Sequence, residues 1–218
     1  MTRPDLTCGL DLSEISAEDA RRLRWPPGGK LAFDVGANIG GNLDLLTSLY
    51  DRVIALEPCA ESFSRIGRRK NVTALLLAAG RRDGTVWLSV RRDPIISGQL
   101  VAPGMTNHDW GPELMRRQVP SVTLDSIAGE YGVPDFVKID TEGFEREVLR
   151  GAPRLLGGRA TTWMVEFHSP ELLDWCARAL ADARYDVTVA KRTEADGSQG
   201  ADHGYVRAVP PAGRLEQS

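Results

Sequence analysis

The stretch Leu31-Ala-Phe-Asp-Val-Gly-Ala-Asn-Ile-Gly-Gly41 constrains this chain more than any other. An apolar run carries Asp34 near its end, and a turn spaced by Gly36, Gly40 and Gly41 follows. Leucines at 43, 45, 46 and 49 then recur with helical spacing. Strand, tight turn and helix in that order place a small ligand over a helix N-terminus at the carboxyl end of a strand. The dinucleotide form of this turn has glycine at its second position, where backbone must approach a pyrophosphate. Here that position is Asn38, which argues for a nucleoside ligand without phosphates. An acid about 20 residues further on completes the arrangement by accepting ribose hydroxyls. Glu57, at the end of the next apolar run, is that acid, and Pro58 stiffens the turn beneath the sugar. Asp34 adds a negative lining suited to a cationic ligand such as S-adenosylmethionine.

The rest of the chain extends this unit. Strands are expected over 31–35, 52–56, 72–77, 135–140 and 161–167. Helices are expected over 41–50, from 60–61 through Phe63 and Ile66, over 125–131, through Phe144, Val148 and Leu149, and through Leu172 to Leu180. Continuous apolar strands are those buried on both faces of a parallel sheet. Residues 84–90 alternate with period two and read as a half-exposed antiparallel strand, with another strand over 119–124. Between them, 93–118 reads as a long Gly/Pro-rich loop. Residues 185–190 and 205–209 form a terminal hairpin around a polar 194–203 loop. The fold class is therefore α/β: an open, mostly parallel sheet with an antiparallel edge. Residues 1–30 form a short helical extension, 31–210 a single domain, and 211–218 a disordered tail.

Composition narrows the class of partner. A net charge of −3 gives no global reason to expect nucleic acid or an anionic membrane. Basic clusters such as Arg68-Arg69-Lys70 and Arg116-Arg117 read as solvated faces. Three widely spaced cysteines form no disulfide framework or zinc pattern. No signal-peptide core or membrane-length apolar run is present, so the expected setting is cytoplasmic.

Six segments in order, Asp34-Val-Gly-Ala-Asn-Ile-Gly40, Glu57-Pro58, Val122-Thr-Leu-Asp125, Lys138-Ile-Asp-Thr-Glu-Gly143 with Val148-Leu-Arg-Gly-Ala152, and Val165-Glu-Phe-His168, resemble the motifs of FkbM-type methyltransferases. The resemblance implies a Rossmann-like class I methyltransferase fold. Its mostly parallel seven-stranded sheet would end in an antiparallel hairpin, with an antiparallel segment inserted between strands three and four. It also implies S-adenosylmethionine as donor and transfer to a hydroxyl of a small metabolite or sugar. The implied cofactor set is Asp34, Gly36, Ala37, Asn38, Gly40, Glu57, Pro58, Ala78 and Asp140.

In such a sheet the ligand lies outside the carboxyl ends of the strands. That gathers Asp34, Asp140, Glu142, Glu166 and His168, with Lys138 behind Asp140. A hydroxyl acceptor must lose a proton, so His168 is the expected base, with Asp140 second. Glu142 and Lys138 complete the catalytic set. Ser97, His108 and Trp110 are expected to contact substrate. The acids and His168 suit a divalent ion, but alternation along a strand is expected to separate them, so no metal is expected. Expected partners are a small-molecule or glycan substrate, with no nucleic acid and no membrane; a homodimer is left open. The rival activities are N-methylation of a small amine and nucleoside binding without turnover.

Overall fold

The computed structural model describes residues 28–91, 98–100, 114–193 and 199–211. Residues 1–27 of the expected N-terminal extension, 212–218 of the expected tail, and Ser97, His108 and Trp110 lie outside the described residues, while Gly29 and Lys30, assigned to the extension, begin β1. The elements are β1 (Gly29–Val35), α1 (Leu43–Leu49), β2 (Tyr50–Leu56), α2 (Ala60–Phe63), β3 (Val72–Leu75), β4 (Ala78–Ala79), β5 (Gly84–Arg91), β6 (Gly98–Leu100), β7 (Leu114–Val122), α3 (Leu124–Tyr131), β8 (Phe136–Ile139), α4 (Glu145–Arg150), α5 (Pro153–Gly158), β9 (Thr162–Phe167), α6 (Pro170–Asp182), β10 (Asp186–Thr193) and β11 (Gln199–Val209).

Seven strands form the main sheet in the order β3-β2-β1-β8-β9-β11-β10. The first five are parallel, and β11 and β10 close the far edge antiparallel. This is the expected α/β sheet with its hairpin. Strand order reverses between β1 and β8, which opens a crevice at their carboxyl ends. The inserted segment is a second sheet, β4-β7-β5-β6.

Alternation along the central strands splits the core into two layers. Phe33, Val35, Leu56, Val137, Ile139, Trp163 and Val165 pack beneath α3, α4, α5 and α6. Ala32, Val53, Ala55, Phe136 and Met164 pack on the other face, against Leu43 and Leu46 of α1. Asp34 and Lys138 are register partners that share this second face, both almost fully buried.

Several boundaries differ from expectation. The helix after Pro58 is a single turn, and Ile66 packs from beyond its end. β7 begins at Leu114, inside the stretch read as loop, because Leu114–Val119 and Pro120-Ser121 pair along the length of β5. α5 was not expected; Pro153 sits in its first turn, where a missing N–H costs nothing. The terminal hairpin is longer, with Thr193 opposite Gln199 inside the segment read as a polar loop. Among the described residues no helix is long and apolar enough to cross a membrane.

Candidate active site

The turn after β1 is built by left-handed backbone. Gly36, Asn38 and Gly40 have φ of 82°, 50° and 90°, a region open to glycine and tolerated by asparagine. The Gly36 and Ala37 amides both donate to the Leu56 carbonyl, at 2.9 and 3.0 Å. Gly36 is also pressed against β8: a Cβ there would overlap the Asp140 carbonyl oxygen. Glu57 also fastens backbone. Its Oε2 accepts the Asn38 N–H at 2.8 Å and its Oε1 the Cys59 N–H at 2.7 Å. The carboxylate thus ties the turn to the end of β2, while two oxygens keep lone pairs for further donors. Burial pushes the Glu57 carboxyl up, against the pull of those two N–H groups.

A cleft enclosing about 530 Å³, open solvent at its mouth included, lies over this turn. Gly36, Asn38, Glu57 and Pro58 form one wall, Asp140, Thr141 and Glu142 the other, and Leu77, Ala79 and Leu100 give it an apolar side. Of the expected cofactor set, Gly36, Asn38, Glu57, Pro58 and Asp140 line the cleft. Four others stand back from it. Ala37 is packed in the second core layer. Gly40 belongs to the turn's internal bonding, its N–H donating to the Ala37 carbonyl. Ala78 is buried in β4 opposite Ser121; its neighbours Leu77 and Ala79 reach the cleft instead. Asp34 points into the interior, its Oδ1 4.0 Å from Lys138 Nζ, because register with β8 turns it from the ligand side.

Behind the Asp140 wall lies a polar cluster. Lys138 Nζ is 3.0 Å from Asp140 Oδ2. His168 Nε2 is 3.6 Å from Asp140 Oδ1 and 3.5 Å from Glu142 Oε2, and its Nδ1 is 3.1 Å from Glu145 Oε1. Glu166 hydrogen-bonds Asp140 from β9 and takes a bond from the Tyr205 hydroxyl on β11. Burial opposes the Lys138 charge, but Asp140, Asp34 and Glu166 outweigh it and hold the ammonium protonated. Burial likewise opposes the Asp140 charge, and Lys138 and His168 overcome it, keeping that carboxyl below its usual range. Burial and the Asp140 charge push Glu166 up to about 7. For His168, burial is outweighed by Glu145, Glu142 and Asp140, which raise it to about 9.

Sequence alone brought Asp140, Glu142, Glu166, His168 and Lys138 together, and they are together here. His168, however, is not part of the cleft wall; it stands behind Asp140 and Glu142. Glu166 and His168 are two residues apart and share one face, contrary to the expected separation. Ligand atoms of Asp140, Glu166 and His168 fall within 4.8 Å of one another. The Lys138 ammonium already supplies positive charge to this group. Glu145 was missed as a site residue; its only signal was a second acid two positions after Gly143.

The family model described as the methyltransferase FkbM domain matches residues 34–192. Two solved structures share the fold. One is methyltransferase FkbM from Methylobacillus flagellatus KT, 16% identical with a TM-score of 0.60, covering 94% of this chain and 48% of that one. The chain thus spans about half the length of that structure. The other is precorrin-6y C5,15-methyltransferase from Geobacter metallireducens GS-15, 15% identical with a TM-score of 0.52, covering 94% of this chain and 98% of that one. No curated protein matches the sequence.

Proposed function

Because this chain belongs to the FkbM methyltransferase family, with S-adenosylmethionine as donor, we propose that it methylates a hydroxyl oxygen of a small metabolite or sugar. The donor's sulfonium supplies an electrophilic methyl group when bound. The cleft suits that donor. Glu57 keeps acceptor capacity for ribose hydroxyls, and Leu77, Ala79 and Leu100 offer an apolar side to a base. Asp140 and Glu142 suit its cationic end.

A hydroxyl acceptor must shed its proton, and Asp140 is the group we assign to take it. Its carboxylate stands in the cleft wall and is kept ionised by Lys138 and His168. Glu166, pushed up to about 7, donates its proton in the hydrogen bond to Asp140 and so adds to keeping Asp140 ionised. The expected base, His168, holds its own proton up to about pH 9. In this reading it is the cation that keeps Asp140 charged. The observation that carries the proposal is that Asp140 belongs both to the cleft and to the charged cluster. The absence of a disulfide framework among the three cysteines supports a cytoplasmic setting.

The test is transfer of labelled methyl from S-adenosylmethionine to panels of hydroxylated metabolites, glycans and amines. Asp140→Asn is expected to lower kcat by about 10²–10⁴-fold. Calorimetry with S-adenosylhomocysteine reads donor-site affinity separately. Full turnover by Asp140→Asn, or methylation confined to amines, would overturn the proposal.

A further inference from the structure

The charged groups at the cleft wall are held by a residue outside it. Glu145, the first residue of α4, is fully buried. Its Oε1 accepts the Thr141 N–H at 3.1 Å, the Gly143 N–H at 3.0 Å and the Thr141 hydroxyl at 3.3 Å, and lies 3.1 Å from His168 Nδ1. Backbone amides only donate, so Oε1 is an acceptor, and Nδ1 must carry the hydrogen that faces it. The opposite ring nitrogen, Nε2, is thereby left toward Asp140 and Glu142.

The turn that Glu145 grips is strained. Glu142 has φ of 53° and Gly143 φ of 104°. A non-glycine residue in that region is disfavoured and persists where its surroundings fix it. The two amides bound by Oε1 flank Glu142, one on each side. No side-chain cap at Phe144 helps to hold the start of α4.

We propose that Glu145 is a positioning residue of this methyltransferase: it pins the Thr141–Gly143 turn and sets the His168 ring with Nδ1–H inward and Nε2 toward Asp140 and Glu142. The catalytic consequence rests on the O-methylation reading; the state of the ring does not. The charges around the ring agree. Glu145 faces it from α4, and Asp140 and Glu142 from the turn after β8, with Lys138 of β8 paired to Asp140. Glu166 lies on β9, which ends one residue before His168, with Tyr205 bonded to it, while Cys176 of α6 interacts with both Glu145 and Arg146. Acids outnumber cations here, which raises His168, and the Glu145 bond heads the attractive contributions.

The test uses the full chain, labelled with ¹⁵N and ¹³C in its three histidines, followed by NMR over a pH titration with S-adenosylhomocysteine present. His168→Gln identifies the His168 signal. In the wild type the His168 midpoint should lie well above that of a free imidazole. In Glu145→Gln it should fall by about 1–3 pH units, with inhibitor affinity held within a few-fold and kcat reduced about tenfold or more. An unchanged midpoint in Glu145→Gln overturns the proposal, because a residue that merely held the turn would not move it. Should that variant fail to fold, the wild type decides: a neutral ring protonated on Nε2 rather than Nδ1 overturns it equally. Failure of the Asp140→Asn test would remove the base assignment while leaving these titrations intact.

Discussion

At the scale of single residues, Gly36 carries two demands at once: left-handed backbone, and a surface bare enough to touch the Asp140 carbonyl. Gly36→Ala meets neither. It is expected to lose more than about 2 kcal/mol of stability and all measurable heat with S-adenosylhomocysteine, checked by thermal unfolding and calorimetry. A variant with wild-type melting and affinity would disprove the contact. Much of this residue-level detail was legible. Gly36, Asn38, Glu57, Pro58 and Asp140 follow strand ends that the sequence marks, and all five line the cleft. Asp34 was not legible in the same way. Its inward turn depends on pairing with Lys138 across β1 and β8, and register between strands more than 100 residues apart is not written locally. Glu145 was hidden for a related reason, since its value as a clamp comes from the φ angles of Glu142 and Gly143.

At the scale of elements, the long apolar strands were readable and the mixed ones were not. β7 contains Arg116, Arg117, Gln118 and Pro120, a composition that reads as loop until its pairing with β5 is seen. α5 is short and ends in Gly157-Gly158, so its helical signal is weak. Its start is secured from elsewhere: Asp125 in α3 accepts the N–H of Arg154 at 2.8 Å and of Leu155 at 3.0 Å. This is capping by a distant side chain, satisfying orphan amides that Ala152 leaves open. Asp125→Ala should cost about 1–2 kcal/mol and lower Tm by roughly 2–8 °C, leaving S-adenosylhomocysteine affinity unchanged. A loss of affinity with unchanged Tm would show that the contact serves the cleft and not the helix.

At the scale of the whole molecule, the charged cluster couples stability to pH. His168 is raised from 6.5 to about 9, and Glu166 from 4.5 to about 7. A group raised on folding contributes stability that is complete below its unfolded pKa and is lost as pH climbs through its folded one. Glu166 therefore gives up its share between about pH 4.5 and 7, and His168 between about 6.5 and 9. Asp140, lowered on folding, acts in the opposite sense and is lost on the acid side. Tm should accordingly peak in mild acid and decline toward pH 9. The His168 share is of order 3 kcal/mol. His168→Gln should flatten the limb above neutrality, as read by unfolding scans from pH 4 to 10. A wild-type curve that rises toward pH 9 would contradict the whole arrangement.

The double engagement of Glu57 has a consequence for anyone wishing to re-engineer the donor site. The same carboxylate that lines the cleft also stitches the glycine turn to the strand beside it. Exchanging it for a residue with other ligand tastes would unpick that seam before any new contact formed. Retuning donor preference has to begin across the cleft, at Leu77 and Ala79, where side chains meet the ligand space without fastening backbone together.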